Sequence, residues 1–519
     1  MRLKKFLPFV LAMCVSLTAL AGCGTDQGGA TGAATPTGST AASPSGTADN
    51  KLPQVTLKII LPGDRPGDMD AVIAEIEKRS AEAVNAKLDV VFVPWSDLGQ
   101  KTQVMLTAGE NMDLVFDAPW LHMNQMIAEG YYEQLDDLLQ AYGPNILAKR
   151  PQLMWDANKF DGKIMGVVNG VNFTTGNQYI IRKDIREKLG IAPIKTYEEL
   201  VAFAYKVKEQ EPSMTPWTPA GTVKDMAQGT FRLKYSKEIQ STPMMQTSVM
   251  LYRTNEDPTN IKNFMEDKNP AIWSLITDAR SLYNDKIIYQ DILTVKNNVD
   301  LFSGGKTAII AINDFGVPNN IRENLAQTAP GAEAEMVSFW DMTPKAYLST
   351  FSQGNFQCVP KVSKNKERAI QFLDWTNASQ ENYDLVGYGI EGKNWEAVGD
   401  SQYKPLGSGY GWFPYAWIWN PEQDRLDSTF SEDALALNKH IRVADNFTLD
   451  PLSGFMLNTE PVKNEIAQYQ AIEDKYYLAL FNGVVDPEQT YEMLKSEGGA
   501  LLKKIQEESQ KQIDAFLKK

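Results

Sequence analysis

After residue 54 the chain alternates between short apolar runs and amphipathic helical patterns. Val55–Leu61 is rich in β-branched residues and is followed by Pro62-Gly63, a combination that predicts a strand and then a turn. Helical and strand patterns then follow in alternation, over 68–85, 88–93, 97–108 and 113–116. A β-α-β-α-β order predicts a parallel sheet with crossover helices.

The same alternation starts again near residue 179. The elements predicted there are a strand at 179–182, helices at 183–189 and 196–209, strands at 307–312, 335–339 and 355–359, and a helix at 365–376. From about residue 430 onward, apolar positions are spaced by three and four without strand-like runs, which predicts helices. We therefore expect an α/β fold of two lobes, with parallel sheets flanked by helices and an added helical C-terminal region.

A chain of 519 residues is too long for a single hydrophobic core. The interleaved strand patterns suggest that each lobe is built from two separate stretches of sequence. The expected division is lobe 1 from 53–170 with about 300–345, lobe 2 from 171–299 with about 346–430, and a helical region, 431–519, packed on the lobes.

The first 22 residues have the composition of an export signal. Three basic residues within the first five precede an apolar run from Phe6 to Leu20, which is short for a bilayer span. The run leads into Leu-Ala-Gly-Cys23, which resembles the bacterial lipobox, whose cysteine receives diacylglycerol and becomes the new N-terminus. We expect 1–22 to be a lipoprotein signal peptide and Cys23 to anchor the protein at the extracytoplasmic face of the cell membrane.

Residues 23–52 form the lipidated cysteine and a linker. Gly, Thr, Ser, Ala and Pro dominate this stretch, so it cannot bury enough apolar surface to fold. As a flexible coil of about 29 residues it spans roughly 30 Å. A tether of that length keeps a folded body near the membrane but clear of it.

Composition and charge exclude several classes of function. The net charge of −14 argues against a nucleic-acid binder, whose affinity would depend on Lys and Arg neutralising phosphates. Two histidines cannot build a multi-histidine metal centre, and three cysteines do not make a disulfide scaffold. We expect no cofactor, no metal site and no catalytic residue, although the residues of one Ser/His/Asp-type triad are present.

Aromatic and carboxylate or amide side chains follow several of the predicted strands. In an open parallel sheet, ligands bind outside the carboxyl ends of the strands. The candidates chosen for this reason are Trp95, Asp117, Trp120, Asp314 and Trp340. A sugar ring stacks its apolar face on an indole, while its hydroxyl groups bond to Asp and Asn, so this combination favours a carbohydrate ligand.

Several segments together resemble the extracellular solute-binding proteins of ABC transporters. The segments that carry the resemblance are 130–139 (GYYEQLDDLL), 161–168 (DGKIMGVV), 182–200 (RKDIREKLG followed by KTYEEL), 302–308 and 359–365. Two further segments, 389–395 (GIEGKNW) and 476–483 (YYLALFNG), are similar to a lipoprotein subfamily that has an added helical C-terminal region. Met165 and Val168-Asn169 depart from the usual hairpin, near the expected crossing between the lobes.

The resemblance implies two α/β lobes that close on a ligand by hinge motion and present it to an ABC permease. Members of the subfamily are usually assigned to oligosaccharide import, and a monomer is expected. Asn169, at the expected lobe crossing, is therefore added to the candidate ligand contacts. Glu391 and Trp395 are added because the turn at 387–392 could aim them into the cleft.

Two other functions stay open at this point. An extracytoplasmic glycoside hydrolase or lyase with the same tether requires paired carboxylates, whose distance in space the sequence does not reveal. A receptor for peptides or polyamines would suit the acidic composition. The G-x-G-x-x-G pattern at 387–392 lacks the strand–turn–helix context of a dinucleotide site, and no G-x-S-x-G elbow occurs.

Overall fold

The computed structural model describes residues 52–95, 97–170, 178–219, 239–241, 249–312, 316–407, 409–411 and 414–518. The predicted signal peptide, Cys23, nearly all of the linker and Asp314 therefore lie outside the described residues. Residues from Lys51 onward form one compact unit.

The strands within the described residues are short, and most lie in two main sheets. In chain order they are β1 (Val55–Pro62), β2 (Ala86–Val93), β3 (Leu114–Asp117), β4 (Val167–Asn169), β5 (Gln178–Arg182), β6 (Thr215–Thr218), β7 (Ile239–Ser241), β8 (Leu251–Thr254), β9 (Lys262–Asn263), β10 (Thr307–Ile312), β11 (Ala334–Val337), β12 (Leu348–Ser349), β13 (Asn355–Cys358), β14 (Trp395–Val398), β15 (Gln402–Pro405), β16 (Leu426–Asp427) and β17 (Thr448–Leu449).

The helices surround these sheets and dominate the C-terminal part of the chain. In chain order they are α1 (Met69–Ser80), α2 (Leu98–Thr107), α3 (Met123–Ala128), α4 (Asp136–Tyr142), α5 (Pro144–Ala148), α6 (Gln152–Asp156), α7 (Lys183–Lys188), α8 (Tyr197–Gln210), α9 (Phe264–Asp267), α10 (Pro270–Asn284), α11 (Asn298–Ser303), α12 (Asn319–Thr328), α13 (Lys366–Ala378), α14 (Gln380–Tyr388), α15 (Pro414–Trp417), α16 (Glu432–Ile441), α17 (Lys463–Phe481) and α18 (Pro487–Phe516). Within the described part of the chain, none of these helices is both long and apolar enough to cross a membrane.

The first main sheet has the strand order β2-β1-β3-β13-β4. Strands β1, β2 and β3 are parallel, as predicted, and every residue of β3 is buried. Strand β13 runs antiparallel to both β3 and β4. Because of these directions, β1, β2, β3 and β4 all end at one edge of the sheet, and β13 begins there. This sheet and the helices packed on it form lobe 1.

The second main sheet has the strand order β11-β5-β10-β6. Strand β5 is antiparallel to both of its neighbours, while β10 and β6 are parallel. At one edge the first residue of β5, Gln178, pairs with the last residue of β10, Ile312. Strands β6 and β11 also end at that edge. This sheet and its helices form lobe 2, and its core includes Tyr179, Leu200 and Phe203.

The sequence assigned the returning strands to the wrong lobes. Strands β10 and β11, within 300–345, pair with β5 in lobe 2 rather than joining lobe 1. Strand β13, within 346–430, pairs with β3 in lobe 1. Both main sheets are consequently mixed rather than wholly parallel. The local apolar pattern predicts that a strand forms, but the partner of the strand is decided by contacts far away in sequence.

The chain crosses between the two sheets at the edges where these strands meet. It leaves lobe 1 after Asn169, enters lobe 2 at Gln178, and returns between Val337 and Asn355. Each crossing is held by a hydrogen bond from a backbone amide: the Gly170 amide donates to the carbonyl of Trp419 (3.0 Å). The Gln353 amide donates to the side-chain oxygen of Asn158 (2.8 Å). We call the sheet edges that carry these crossings the crossing edges.

The C-terminal region is helical, as the apolar spacing predicted. Ion pairs between Lys475 and Glu497 and between Lys504 and Glu465 show that α17 and α18 are antiparallel. These helices share one hydrophobic core with α9, α10 and β8. The Tyr491 hydroxyl donates to the carbonyls of Phe264 and Met265 (3.1 Å each), which anchors α18 to that core.

A buried ion pair fixes the start of this region to β8. The side chains of Arg253 and Asp450 are 3% and 2% exposed, and one of their two hydrogen bonds measures 2.7 Å. Removing one partner of a buried pair leaves an uncompensated charge and costs about 3–5 kcal/mol. The pair therefore ties the C-terminal region to the middle of the chain.

We expect Arg253→Met to lower the free energy of unfolding by about 3–5 kcal/mol, because the Asp450 carboxylate stays buried without its cation. Urea unfolding measures the change. The matched control is Glu460→Gln, which breaks an ion pair with Lys463 whose two side chains are both 69% exposed, and its expected change is within about 0.5 kcal/mol. Equal small changes in the two variants would contradict a stabilising role for the buried pair.

Candidate functional site

Two tryptophans lie side by side at the crossing edge of lobe 1. Trp95 follows β2 and Trp120 follows β3, and their side chains are 46% and 42% exposed although both residues are large and apolar. Their ring centroids are 6.2 Å apart and their planes are inclined by 32°. We call Trp95 and Trp120 the tryptophan pair. It presents two neighbouring apolar faces to open space.

The backbone and a buried ring hold the tryptophan pair in place. The Trp120 indole N–H donates to the carbonyl of Gly354 (2.8 Å), next to the start of β13. Gly63 lies against the Trp95 indole, where an added Cβ would come within 3.4 Å of Nε1, and its φ of +92° favours glycine in any case. The buried ring of Phe116 contacts both tryptophans, with centroids at 6.0 and 6.4 Å.

Asp117 does not face the open space at this edge, contrary to the prediction that it contacts a ligand. Its carboxylate is fully buried and accepts three hydrogen bonds. The donors are the Ala118 amide (2.7 Å), the Tyr132 hydroxyl (2.5 Å) and the His122 ring at Nδ1 (3.0 Å). A buried carboxylate requires such donors because it has lost its hydration. Asp117 therefore organises the interior beneath the tryptophan pair.

His122 connects Asp117 to helix α2. Its Nδ1 faces the Asp117 carboxylate, and its Nε2 faces the carbonyl of Gly99 (2.7 Å). Burial lowers the pKa of His122, but the Asp117 hydrogen bond and charge and the Gly99 carbonyl outweigh it, so the pKa lies above its usual value. With acceptors at both nitrogens, the doubly protonated ring makes the most bonds.

Asp117, His122 and Thr102 are linked in the order carboxylate, imidazole, hydroxyl, as in the catalytic triad of a hydrolase. The Thr102 hydroxyl lies 2.9 Å from Nε2 of His122. However, Thr102 is fully buried and its hydroxyl donates to the carbonyl of Leu98 (2.6 Å). When Nε2 carries the proton that bonds to the Gly99 carbonyl, it has no lone pair with which to accept a proton from that hydroxyl. This arrangement does not supply an activated, accessible nucleophile.

Asn169 lies where the chain leaves lobe 1, as predicted. Its side chain is 1% exposed, and neither its amide nitrogen nor its amide oxygen has a hydrogen-bond partner among the described residues. Buried amides are nearly always hydrogen-bonded, so an unpartnered one calls for a water or a ligand group. Asn169 therefore offers one donor and one acceptor group beside the crossing.

Trp340 lies beyond the end of β11, at the crossing edge of lobe 2. It is half-buried, and its ring packs edge-on against Tyr347 with centroids 4.6 Å apart. Asp314, which comes two positions after the last residue of β10 in the sequence, lies outside the described residues. The structure thus places Trp340 on the lobe opposite the tryptophan pair.

Glu391 and Trp395 have different surroundings, although the sequence predicted that both point into the cleft. Glu391 is exposed and forms an isolated β-bridge with Trp395 across the turn at 392–394. Trp395 is 4% exposed and belongs to the core of lobe 1, where its indole N–H donates to the carbonyl of Gly389 (3.0 Å). The ring also lies 5.3 Å from the Arg425 guanidinium. The prediction of a ligand contact is wrong for Trp395, whose ring is used for packing.

Sequence reasoning missed three parts of this site: Gly354, Gly63 and His122. The two glycines carried a usable signal, because Gly63 follows the first strand-like run and Gly354 directly precedes the run at 355–359. His122 carried no such signal, since its partners Asp117 and Gly99 come from other elements. Within the described segments, no three His, Cys, Asp or Glu side chains converge to form a possible metal site.

A family model described as bacterial extracellular solute-binding protein matches residues 71–389, more than half of the chain. The chain belongs to the bacterial extracellular solute-binding proteins. Membership in this family of ABC transporter proteins implies an extracytoplasmic location. A second model, a domain of unknown function (DUF3502), matches residues 451–518, which include α17 and α18.

This solute-binding protein is similar to other proteins both in sequence and in fold. A carbohydrate ABC transporter substrate-binding protein from Streptococcus pneumoniae is 25% identical over 473 residues, which cover 89% of this chain and 91% of that protein. The crystal structure of the N-glycan transport solute-binding protein (NgtS) from the same species has a TM-score of 0.70 at 24% identity, covering 89% of this chain and 99% of that one.

A second similar structure is more distant. The S. pneumoniae ABC-transporter substrate-binding protein FusA, solved with kestose, has a TM-score of 0.60 at 16% identity, covering 89% of this chain and 99% of that one. These structural matches confirm the two-lobed fold that the sequence predicted.

The raised pKa of His122 gives this solute-binding protein a specific pH dependence of stability. A group whose pKa is higher in the folded state stabilises fully below its unfolded value, about 6.5, and loses that contribution as the pH rises through the folded pKa. We expect the stability difference between wild type and His122→Asn to shrink from pH 6 to pH 8.5, as measured by urea unfolding.

His440, the second histidine, provides the matched control. Burial lowers its pKa, so its contribution has the opposite sign: it is complete above about pH 6.5 and is lost as the pH falls. The stability difference between wild type and His440→Gln should therefore grow with pH. A difference for His122→Asn that also grows with pH would contradict the protonated form of His122.

Proposed function

We propose that this solute-binding protein captures a carbohydrate, in particular an oligosaccharide, between its two lobes and delivers it to an ABC permease. The observation that carries the proposal is the exposed tryptophan pair at the crossing edge of lobe 1. Two inclined indole faces, about one sugar ring apart, suit the apolar faces of adjacent sugar units, while polar groups at the rim bond the hydroxyls.

The comparisons support the same ligand class. The S. pneumoniae relative is named as a carbohydrate ABC transporter protein. The NgtS structure has also been solved in complex with Man1GlcNAc, with a TM-score of 0.70 and 23% identity to this chain. In our proposal Trp95 and Trp120 stack on sugar rings and Asn169 bonds to a hydroxyl group, while Asp314, Trp340 and Glu391 provide further contacts.

The protein acts in this proposal as a monomeric receptor without catalysis of its own. Ligand binding shifts an equilibrium between open and closed lobes by as much as the affinity for the two states differs. The Thr102 hydroxyl is buried and donates to the carbonyl of Leu98, so it is not available as a nucleophile. This favours a receptor over a hydrolase with a catalytic triad. A glycoside hydrolase is the alternative that the binding experiment must exclude.

We expect Trp120→Ala and Trp95→Ala each to weaken oligosaccharide binding about 10-fold or more, because each removes one stacking face. Isothermal titration calorimetry with mannose-, N-acetylglucosamine- and fructose-containing oligosaccharides measures the affinity. The matched control is Trp273→Phe, since Trp273 packs against Tyr491 in the C-terminal core and should leave the affinity unchanged.

Three results would each contradict a part of this proposal. Folded wild-type protein that binds none of these oligosaccharides would argue against a carbohydrate receptor. Release of reducing ends during the titration would favour the glycoside hydrolase. Unchanged affinity in both tryptophan variants would move the binding site away from the tryptophan pair.

We also propose that the mature protein is anchored to the membrane by lipid on Cys23. The support is the sequence Leu-Ala-Gly-Cys that follows a basic and apolar segment. Several acyl chains hold a protein firmly at a bilayer, where a single chain is marginal. An anchored receptor stays close to its permease.

In bacteria that express the gene, Cys23→Ser should abolish incorporation of radiolabelled palmitate and shift the protein from the membrane fraction to the medium. The matched control is Cys358→Ser, because Cys358 is a buried free cysteine of β13 and takes no part in anchoring. Label that remains in the Cys23 variant would show that lipid is attached elsewhere or that the label is not lipid on this protein.

A further inference from the structure

Each member of the tryptophan pair stands just before a helix. Trp95 precedes α2, which begins at Leu98, and Trp120 precedes α3, which begins at Met123. The position of each ring therefore depends on how the first turn of its helix is held. A connection between the two helix starts would fix the distance and the inclination of the two indoles.

His122 makes that connection. It is the residue directly before α3, and its ring reaches the first turns of α2, with Nε2 at 2.7 Å from the Gly99 carbonyl and 2.9 Å from the Thr102 hydroxyl. Its other nitrogen is held by Asp117 at the end of β3 (3.0 Å). The ring is 9% exposed, so water does not compete freely for these bonds.

We propose that His122 is a positioning residue for ligand binding: by joining the starts of α2 and α3, its protonated ring holds Trp95 and Trp120 in the arrangement that the ligand requires. This inference rests on the proposed function for its ligand, a carbohydrate, but the geometry of the tryptophan pair can be measured without any ligand.

Among the groups around the His122 ring, the ring itself is the one whose protonation changes between pH 6 and 9. Asp117 is the charged group that acts on His122. Tyr132 and Cys358 lie behind Asp117, and burial raises the pKa of each well above its usual value, so both stay neutral between pH 6 and 9. On α2, Gly99 and Thr102 are uncharged.

The charged groups at the start of α2 belong to the surface. Lys101 pairs with Asp97 at 2.9 Å, and their side chains are 57% and 45% exposed. Exposed pairs of this kind contribute little to stability because water and salt screen the two charges.

Loss of one proton from His122 breaks the connection at a defined point. The proton at Nδ1 is kept because Asp117 accepts it, so Nε2 becomes a lone pair facing the Gly99 carbonyl across 2.7 Å. Two acceptors at that distance repel each other. The Thr102 hydroxyl can turn toward Nε2, but it then leaves the carbonyl of Leu98. The start of α2, and Trp95 with it, is thereby released from α3.

The test measures the tryptophan pair directly. Two indoles 6.2 Å apart couple their transitions and give a paired positive and negative band in far-ultraviolet circular dichroism, which Trp95→Phe should remove and so assign. The chain has only two histidines, so proton NMR resolves their ring signals, and His440→Gln assigns them. The band amplitude and the oligosaccharide Kd are then followed from pH 6 to pH 9.

The variant His122→Asn keeps a donor for Asp117 at the place of Nδ1 but is too short to reach Gly99. In wild type we expect the band to decrease and Kd to rise about 5-fold, both with the midpoint at which His122 titrates. In His122→Asn we expect the weak band and the weak affinity at every pH. His440→Gln should behave as wild type does.

A band and a Kd that do not change as His122 titrates in wild type overturn the inference, and this test does not depend on how well His122→Asn folds. Identical behaviour of His122→Asn and wild type also overturns it. If the band follows His122 but no oligosaccharide binds, the positioning role of His122 stands and the carbohydrate function fails. If oligosaccharides bind but neither the Kd nor the band changes as His122 titrates, the carbohydrate function stands and the positioning role of His122 fails.

Discussion

The arrangement of the site depends on one buried charge, the carboxylate of Asp117. An ionised carboxyl group without water is stable only when donors surround it. Here the donors come from three places along the chain: Ala118, His122 and Tyr132. Satisfying the charge therefore folds the segment after β3 back under Trp120. The exposed indole and the buried carboxylate are two sides of one loop.

Much of the fold could be predicted because its signals are local. Strand β1 was predicted at 55–61 and spans Val55–Pro62, and α8 was predicted at 196–209 and spans Tyr197–Gln210. Thr196 and Glu199 form a capping box at that helix start, a signal that lies within four residues. The pairing of β10 with β5 has no such signal, because its residues are more than a hundred positions apart. For that reason the lobe assignment was wrong while the strands themselves were right.

The same difference between local and distant signals separates the candidate residues that were placed correctly from those that were not. Position after a strand predicted that Trp95 and Trp120 lie at the edge of the sheet, and the expected lobe crossing predicted the same for Asn169. All three lie there. Position does not give the direction of a side chain, which depends on the groups available around it. Asp117 turned inward because Tyr132 and His122 donate to it, and Trp395 turned inward because the core of lobe 1 accommodates its ring.

The contrast between receptor and hydrolase follows from the same contacts. A nucleophile needs a base that can accept its proton and a path for the substrate. In this chain His122 makes both of its bonds, to Asp117 and to Gly99, only when both ring nitrogens carry protons. These two bonds connect the segments that follow β2 and β3, which carry the exposed indoles. A neutral His122 with a free Nε2 would be the better base but the weaker connection. The residues that resemble a triad are thus arranged for rigidity, and rigidity beneath an exposed aromatic surface serves binding, since a surface fixed in advance loses less entropy when a ligand arrives.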